Sequence, residues 1–104
     1  MLVAFSVAPS TAADESGSVS AAVADAIAIV RASGVPHRTD SMFTTLEGEW
    51  EECMDVVKRC CDAVGEHGGR VSLVLKADIR PGHTGELKGK LDRLEKAVAA
   101  RDEA

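Results

Sequence analysis

The order in which strand-like and helix-like spacings alternate constrains the fold of this chain more than any other sequence feature. The apolar run at residues 2–8 ends at Pro9, which is typical of a buried strand. Ser16 or Ser18 is then a suitable N-cap for a first helix, and Gly34 is a natural stop. The apolar residues of this helix recur at helical spacing, at Val19, Val23, Ile27 and Val30.

The next two strands are expected to form a hairpin. Residues 35–40 are polar and carry Pro36, which has no N–H for a central ladder, so they predict a short edge strand. Residues 42–47 alternate between two sets of side chains and predict a better strand. A tight connection near Asp40 and Ser41 would join the two strands.

The second helix is the clearest element of the sequence. Glu49, Glu51 and Glu52 crowd its first turn, where the helix dipole favours negative charge, and Gly65 ends it. Its apolar face is marked at helical spacing by Trp50, Met54, Val57, Cys61 and Val64.

A fourth strand, a loop and a last helix complete the order β-α-β-β-α-β-α. Residues 70–78 alternate as a strand does, and residues 81–85 form a loop. The first six elements form the βαββαβ unit of a ferredoxin-like fold, so we predict one α+β domain over residues 1–104. Its antiparallel sheet has the strand order 4-1-3-2, and the C-terminal helix lies outside the unit. That helix carries one apolar face, at Leu87, Leu91, Leu94 and Val98.

Two helices on one face of such a sheet leave its other face uncovered. The first and fourth strands are apolar on both sides, so this open face is not fully polar. Aromatic residues are few, at 2 Phe and 1 Trp, and a short chain with a thin core gains burial by assembly. We therefore expect a homo-oligomer, either a dimer or a tetramer.

The composition argues against several partners. The chain has 12 basic and 17 acidic residues and a net charge of −5, which disfavours binding of nucleic acid. No apolar segment approaches the roughly 20 residues that span a bilayer, so no membrane partner is expected. The 3 cysteines are Cys53, Cys60 and Cys61, and they fall in one predicted helix without a disulfide framework. This pattern indicates reduced thiols and a cytoplasmic protein.

Nothing in the sequence demands an enzyme or a metal. His37, His67 and His83 lie in separate predicted loops or edges, without an HxxxH or HExxH pair. The glycines form neither a P-loop nor a dinucleotide fingerprint, and no GxSxG elbow is present. We therefore predict no catalytic residue, no metal ligand and no cofactor.

Binding of a small polar ligand is a better prospect. Ser6 in the first strand and Thr44 and Thr45 in the third face a shared site if those strands are neighbours. Alternation along a strand lets only one of the two threonines point to a given face. Glu47 ends the third strand on the same side as Thr45. In the alternative interpretation, the threonines serve strand propensity and Glu47 caps the helix that follows it.

A resemblance to a known family rests on the segments LVAFSVAP, TTLEGEW over residues 44–50, and RVSLVLKADIR, which are similar to the small thiamine-binding proteins. The resemblance implies a cytoplasmic protein of ferredoxin-like fold that assembles into dimers and tetramers. It also implies non-catalytic binding of thiamine, or of a related aminopyrimidine, by hydroxyls, backbone and a carboxylate. The ligand-binding residues are then expected at Ser6, Thr44, Thr45, Glu47, Gly48 and Lys76.

Two other classes of function stay open at this stage. One is a ligand-free oligomerisation or regulatory module, which the same fold often supplies. The other is a small cofactor-independent enzyme on a dimeric scaffold. Such an enzyme needs a pocket with a perturbed acid or base, for which Glu47 is the candidate.

Overall fold

A computed structural model describes residues 1–10 and 20–102, which form a sheet with helices packed on it. The expected N-caps Ser16 and Ser18, and the first apolar position Val19, lie outside the described residues. The elements are β1 (Leu2–Pro9), α1 (Ser20–Ala32), β2 (His37–Thr39), β3 (Thr44–Glu47), α2 (Trp50–Gly65), β4 (Val71–Asp78) and α3 (Glu86–Asp102).

The sheet has the order β2-β3-β1-β4, which is the predicted order 4-1-3-2 read from the other edge. All three strand pairs are antiparallel. The central strand β1 pairs with β4 along its whole length, whereas β3 pairs only with Leu2–Phe5 of β1. The predicted α+β architecture is thereby confirmed, as a ferredoxin-like βαββαβ unit followed by a C-terminal helix.

One face of the sheet forms the core with α1 and α2. Val3, Phe5 and Val7 of β1 alternate into this face, and Leu46 of β3 lies beside Val3 and is fully buried. Because side chains alternate along a strand, the residues between them point to the opposite side of the sheet. We call that side the open face, and it carries Leu2, Ala4, Thr45, Glu47 and Lys76.

The buried face of α2 is rotated from the predicted one. Trp50 was expected in the core but is 52% exposed, because it stands in the first turn of the helix. Met54 and Cys61 are only partly buried at the edge of the core. The side chains that α2 buries instead are Cys53, Val56, Val57, Cys60 and Val64.

Small side chains let the two core helices approach closely. On α1 the buried positions are Ala22, Ala26 and Val30, whereas Val23 is only half-buried. The thiol of Cys60 donates a hydrogen bond to the carbonyl of Ala26, with an Sγ···O distance of 3.4 Å. Contact through alanine and cysteine therefore replaces contact through the larger residues that the sequence suggested.

The β2–β3 hairpin is shorter than predicted and is closed by Asp40. Its Oδ1 accepts hydrogen bonds from the backbone N–H groups of Met42 at 2.8 Å and Phe43 at 2.9 Å. This arrangement is the side-chain turn that aspartate favours. None of the described helices is long and apolar enough to cross a bilayer.

Candidate functional site

Two rows of side chains cross the open face. In the first row Thr45 and Ala4 lie side by side in the middle, with Arg38 of β2 at one end and Lys76 of β4 at the other. We call it the basic row. In the neighbouring row Leu2 lies between Glu47 and Asp78. We call this one the acidic row. The antiparallel register therefore separates positive and negative charge into adjacent lines.

Helix α3 crosses the open face along the acidic row. The carboxylate of Glu47 accepts hydrogen bonds from the backbone N–H groups of Glu86, at 2.7 Å, and Leu87, at 3.3 Å. The first turn of a helix has N–H groups without intrahelical partners and a positive dipole end, so a carboxylate stabilises it there. Further along, the Nζ of Lys90 donates to Asp78 at 2.7 Å. Both acids of the row therefore hold α3 in place.

A groove remains between α3 and the open face, over the basic row. It consists of two adjoining cavities of about 340 and 220 Å³, which share Leu2, Thr45 and Lys90. Arg38 lines the larger cavity and Lys76 the smaller one. We call this space the α3 groove, and its size is in the range of small-molecule sites.

The carboxylates around the α3 groove are all engaged by donors. A hydrogen bond from Lys90 holds the pKa of Asp78 below its ordinary value. Arg93 donates to both oxygens of Glu86, at 2.5 and 3.4 Å, and lowers the pKa of that carboxyl. The backbone N–H groups of Phe43 and then Met42 lower the pKa of Asp40, which lines the larger cavity. These acids therefore stay ionised at neutral pH.

The two cations of the basic row, unlike the acids, have no hydrogen-bond partner among the described residues. Neither Arg38 nor Lys76 forms a salt bridge or a side-chain hydrogen bond with any residue in the described ranges 1–10 and 20–102. Both residues are exposed to solvent. Arg38 and Lys76 act on Asp40 and Asp78 only through space, as smaller contributions to the lowered pKa of each carboxyl. Among the described residues, the groove therefore has hydrogen-bonded acids along its wall and cations without a hydrogen-bond partner at both ends of its floor.

The structure brings some of the predicted ligand-binding residues together in the α3 groove. Thr45 lines both cavities, and Lys76 lines the smaller one. Glu47 stands at the end of the same face, but both of its oxygens are committed to α3. Gly48 donates its N–H to the carbonyl of Met1 and accepts from the amino terminus, so its backbone ties β1 to β3.

Ser6 and Thr44 line a separate cavity of about 200 Å³ between α1 and the β2–β3 hairpin. Thr44 is 5% exposed, points into the helix-covered face, and shares a hydrogen bond of 3.1 Å between its hydroxyl and that of Thr39. The cavity lies where β3 begins, because its first residue Thr44 is opposite Phe5 and the edge of β1 beyond Phe5 has no strand partner on that side. By alternation Ser6 belongs to the open face, four residues along β1 from Leu2, which lies opposite Glu47. Ser6 therefore lines this cavity at the edge of β1, at a distance from the end of the face that carries Glu47.

A further depression of about 290 Å³ lies between the start of α2 and the β4–α3 loop. The exposed Trp50 and Ile79 contribute apolar surface, and Arg80 and His83 contribute polar groups. Among the described residues no group of three or more His, Cys, Asp or Glu side chains is arranged to hold a metal ion.

Sequence reasoning missed Arg38 and Lys90 as parts of the site. Arg38 could have been found by pairing the hairpin strands across Asp40, since that register sets it opposite Thr45. Lys90 had no local signal, because its partner Asp78 lies on another element.

Comparisons with known proteins give a consistent result. The family model described as thiamine-binding protein matches residues 3–95. A UPF0045 protein of Mycobacterium bovis is 44% identical over 97 residues, which cover 92% of each chain. A solved domain of unknown function from Bacillus cereus is 37% identical, with a TM-score of 0.71 and 84% of each chain covered. A Thermotoga maritima structure, described as a candidate thiamine biosynthesis/salvage protein, is 31% identical with a TM-score of 0.69, covering 84% of this chain and 91% of that one.

Proposed function

Because the chain belongs to the thiamine-binding protein family, we propose that it binds thiamine or a related aminopyrimidine in the α3 groove without turning it over. The observation that carries the proposal is the extent of the family match. Residues 3–95 include nearly all of the groove floor, the capping residue Glu47 and the groove-lining part of α3. The matched range therefore includes most of the residues that line the groove, which supports the proposal.

The groove offers suitable chemistry for this class of ligand. An aminopyrimidine presents ring-nitrogen acceptors and an amino donor, and the hydroxyl of Thr45 both donates and accepts. Leu2, Leu87 and Leu91 supply apolar surface for the rings. The ionised carboxylates of Asp40 and Glu86 line the same cavity, where they favour a thiazolium cation.

The state of these carboxylates supports binding without catalysis. A general acid or base works best with a pKa near the operating pH. The pKa values of Asp40, Asp78 and Glu86 are all lowered, away from neutrality. Within the part of the chain that the structure describes, none of the acids lining the groove is thus poised for proton transfer.

Calorimetric titration with thiamine and with hydroxymethylpyrimidine tests the proposal. We expect Thr45→Val to weaken binding about two- to tenfold, since one neutral hydrogen bond contributes about 0.5–1.5 kcal/mol. The matched control is Thr39→Val, because Thr39 lies on β2 but lines the separate cavity near α1. We expect the control to bind like the wild type.

Other outcomes locate the ligand elsewhere or remove it. If Thr39→Val weakens binding and Thr45→Val does not, the ligand occupies the cavity near α1. An effect of Trp50→Leu alone would point to the depression beside α2. Absence of any heat with both compounds rejects the proposed ligand class.

The proposal includes a homo-oligomer, a dimer or a tetramer, in the cytoplasm. Leu94 and Val98 on α3 are 56% and 45% exposed, and Val74 on the edge strand β4 is 57% exposed, which favours association. The free thiols of Cys53 and Cys60 lie fully buried in the core, as suits a reducing compartment.

A ligand-free oligomerisation module is the second candidate function. The exposed apolar residues of α3 and β4 are the observation that favours it.

A further inference from the structure

We infer that the basic row is an anion site, so that the α3 groove prefers the phosphate ester of its ligand to the unphosphorylated form. The organic part of this ligand rests on the proposed function, whereas the anion site rests on the groove alone. The inference adds a named ligand class and assigns Arg38 a binding role.

The register places the two cations on either side of a small platform. Neighbouring strands are about 4.8 Å apart, so the Cα atoms of Arg38 and Lys76 are separated by three such steps, or about 14 Å. Both side chains are long and start from the same face. Ala4 between them is small, and Thr45 lines both the cavity that Arg38 borders and the cavity that Lys76 borders. A group above the Thr45 hydroxyl therefore lies between the two charged side chains.

The three side chains differ usefully in their donors. Arg38 presents a planar fork that matches two phosphate oxygens, whereas Lys76 is a compact charge with rotatable donors. The hydroxyl of Thr45 adds a further donor between them. A phosphate group accepts all of these bonds at once, and a neutral hydroxymethyl group does not.

The charges of the groove leave these donors available. Glu47 is engaged by the first turn of α3, and Asp78 is engaged by Lys90. Glu86 is engaged by Arg93, and Asp40 by the hairpin backbone. Each acid near the basic row thus has its own donor, and none of them is hydrogen-bonded to Arg38 or Lys76 among the described residues. Since the whole chain carries a net charge of −5, attraction of an anion must come from this local row.

The experiment titrates the full chain with thiamine, thiamine monophosphate and inorganic pyrophosphate in a calorimeter. We expect thiamine monophosphate to bind about tenfold tighter than thiamine, as charge-assisted hydrogen bonds predict. Arg38→Gln and Lys76→Gln should each lower the affinity for the monophosphate about tenfold and bring the affinity ratio of the two compounds toward one. The matched control is Lys88→Gln, which removes an exposed charge paired with Asp92 on α3, outside the groove. It should leave the ratio unchanged.

The three ligands separate failure of this inference from failure of the proposed function. Equal binding of thiamine and its monophosphate overturns the anion site and leaves the proposed function standing. Pyrophosphate binding that Arg38→Gln and Lys76→Gln both abolish, without any binding of thiamine, supports the anion site and rejects the ligand class. If the monophosphate is preferred but the preference survives in both variants, the basic row is not the anion site. Circular dichroism of each variant verifies that it is folded.

Discussion

Glu47 stands at the end of β3, yet its carboxylate caps a helix that begins 39 residues further along the chain. The sequence offered two roles for this residue, a ligand contact or the cap of the helix that follows it. The following helix α2 begins with its own capping box, in which the N–H of Glu49 donates to Glu52 at 3.2 Å. The carboxylate of Glu47 thereby attaches α3 to the sheet.

We expect Glu47→Gln to lower the free energy of unfolding by about 1 kcal/mol without any ligand present. The glutamine side chain keeps one acceptor but loses the charge that faces the positive end of α3. Urea unfolding followed by circular dichroism measures the change. The control is Glu95→Gln, an exposed position on α3 without a salt bridge to a described residue. Unchanged stability of Glu47→Gln would contradict the capping role.

Single residues differ in how far the sequence could place them. Alternation along β3 was sufficient to put Thr45 and Glu47 on one side of that strand, because strand geometry is local. Lys76 was expected at the site only from the family resemblance, and the register of β4 on β1 is what sets it on the same face as Thr45. The partner of Glu47 could not be predicted, since a cap supplied from another element leaves no spacing signal. The register that puts Arg38 opposite Thr45 depends on the turn at Asp40. The sequence predicted a tight connection near Asp40 but not which residues of the two strands it would pair.

Helix α3 is the element whose attachment matters most for the groove. It is held at its first turns by Glu47 and by the Lys90–Asp78 pair, and from Leu91 onward its residues are exposed. The hydrogen bond from Lys90 lowers the pKa of Asp78 below 3.8. A carboxyl with a lowered pKa in the folded state stabilises that state above the unfolded value, and the contribution is lost as the pH falls through the folded value.

We therefore expect Lys90→Gln to weaken the attachment of α3 at neutral pH but not in acid. Amide hydrogen exchange of residues 86–93 measures the attachment, and the variant should exchange faster than the wild type. The difference should shrink only as the pH falls through the lowered pKa of Asp78, because the carboxyl is protonated in both proteins once the pH lies below that value. Lys88→Gln is the control, since its pair with Asp92 lies within α3. A difference that persists undiminished in acid would assign the effect to packing of the lysine stem.

The order of the elements was predictable because the spacing of apolar residues alternates between a period of two, typical of strands, and a period of 3.6, typical of helices. The rotation of α2 was not, because the prediction relied on large side chains such as Trp50 and Met54. Cys53 and Cys60 take their place in the core, where cysteine behaves as a small apolar residue. The pKa of Cys60 is raised to about 11, mainly by that burial.

At the scale of the whole molecule, the described residues are elongated, with extents of 55 by 30 by 19 Å. The apolar side chains of α3 beyond the groove are about half exposed, with Leu94 56% and Val98 45% exposed. The edge strand β4 adds Leu73 at 42% and Val74 at 57%. A strand edge and an apolar helix stripe in one chain are the features that a second copy covers by symmetric contact.

We expect light scattering at micromolar concentration to give the mass of a dimer or a tetramer of the 10.9 kDa chain. Leu94→Glu should shift the population toward 10.9 kDa, because a charge at the centre of an apolar interface is costly to bury. Lys96→Glu changes the charge of the same helix outside its apolar stripe and should leave the mass unchanged. A wild-type protein of 10.9 kDa alone rejects the assembly. Titrating thiamine monophosphate into Leu94→Glu then tells whether a second copy completes the groove, since loss of binding together with loss of assembly would require one.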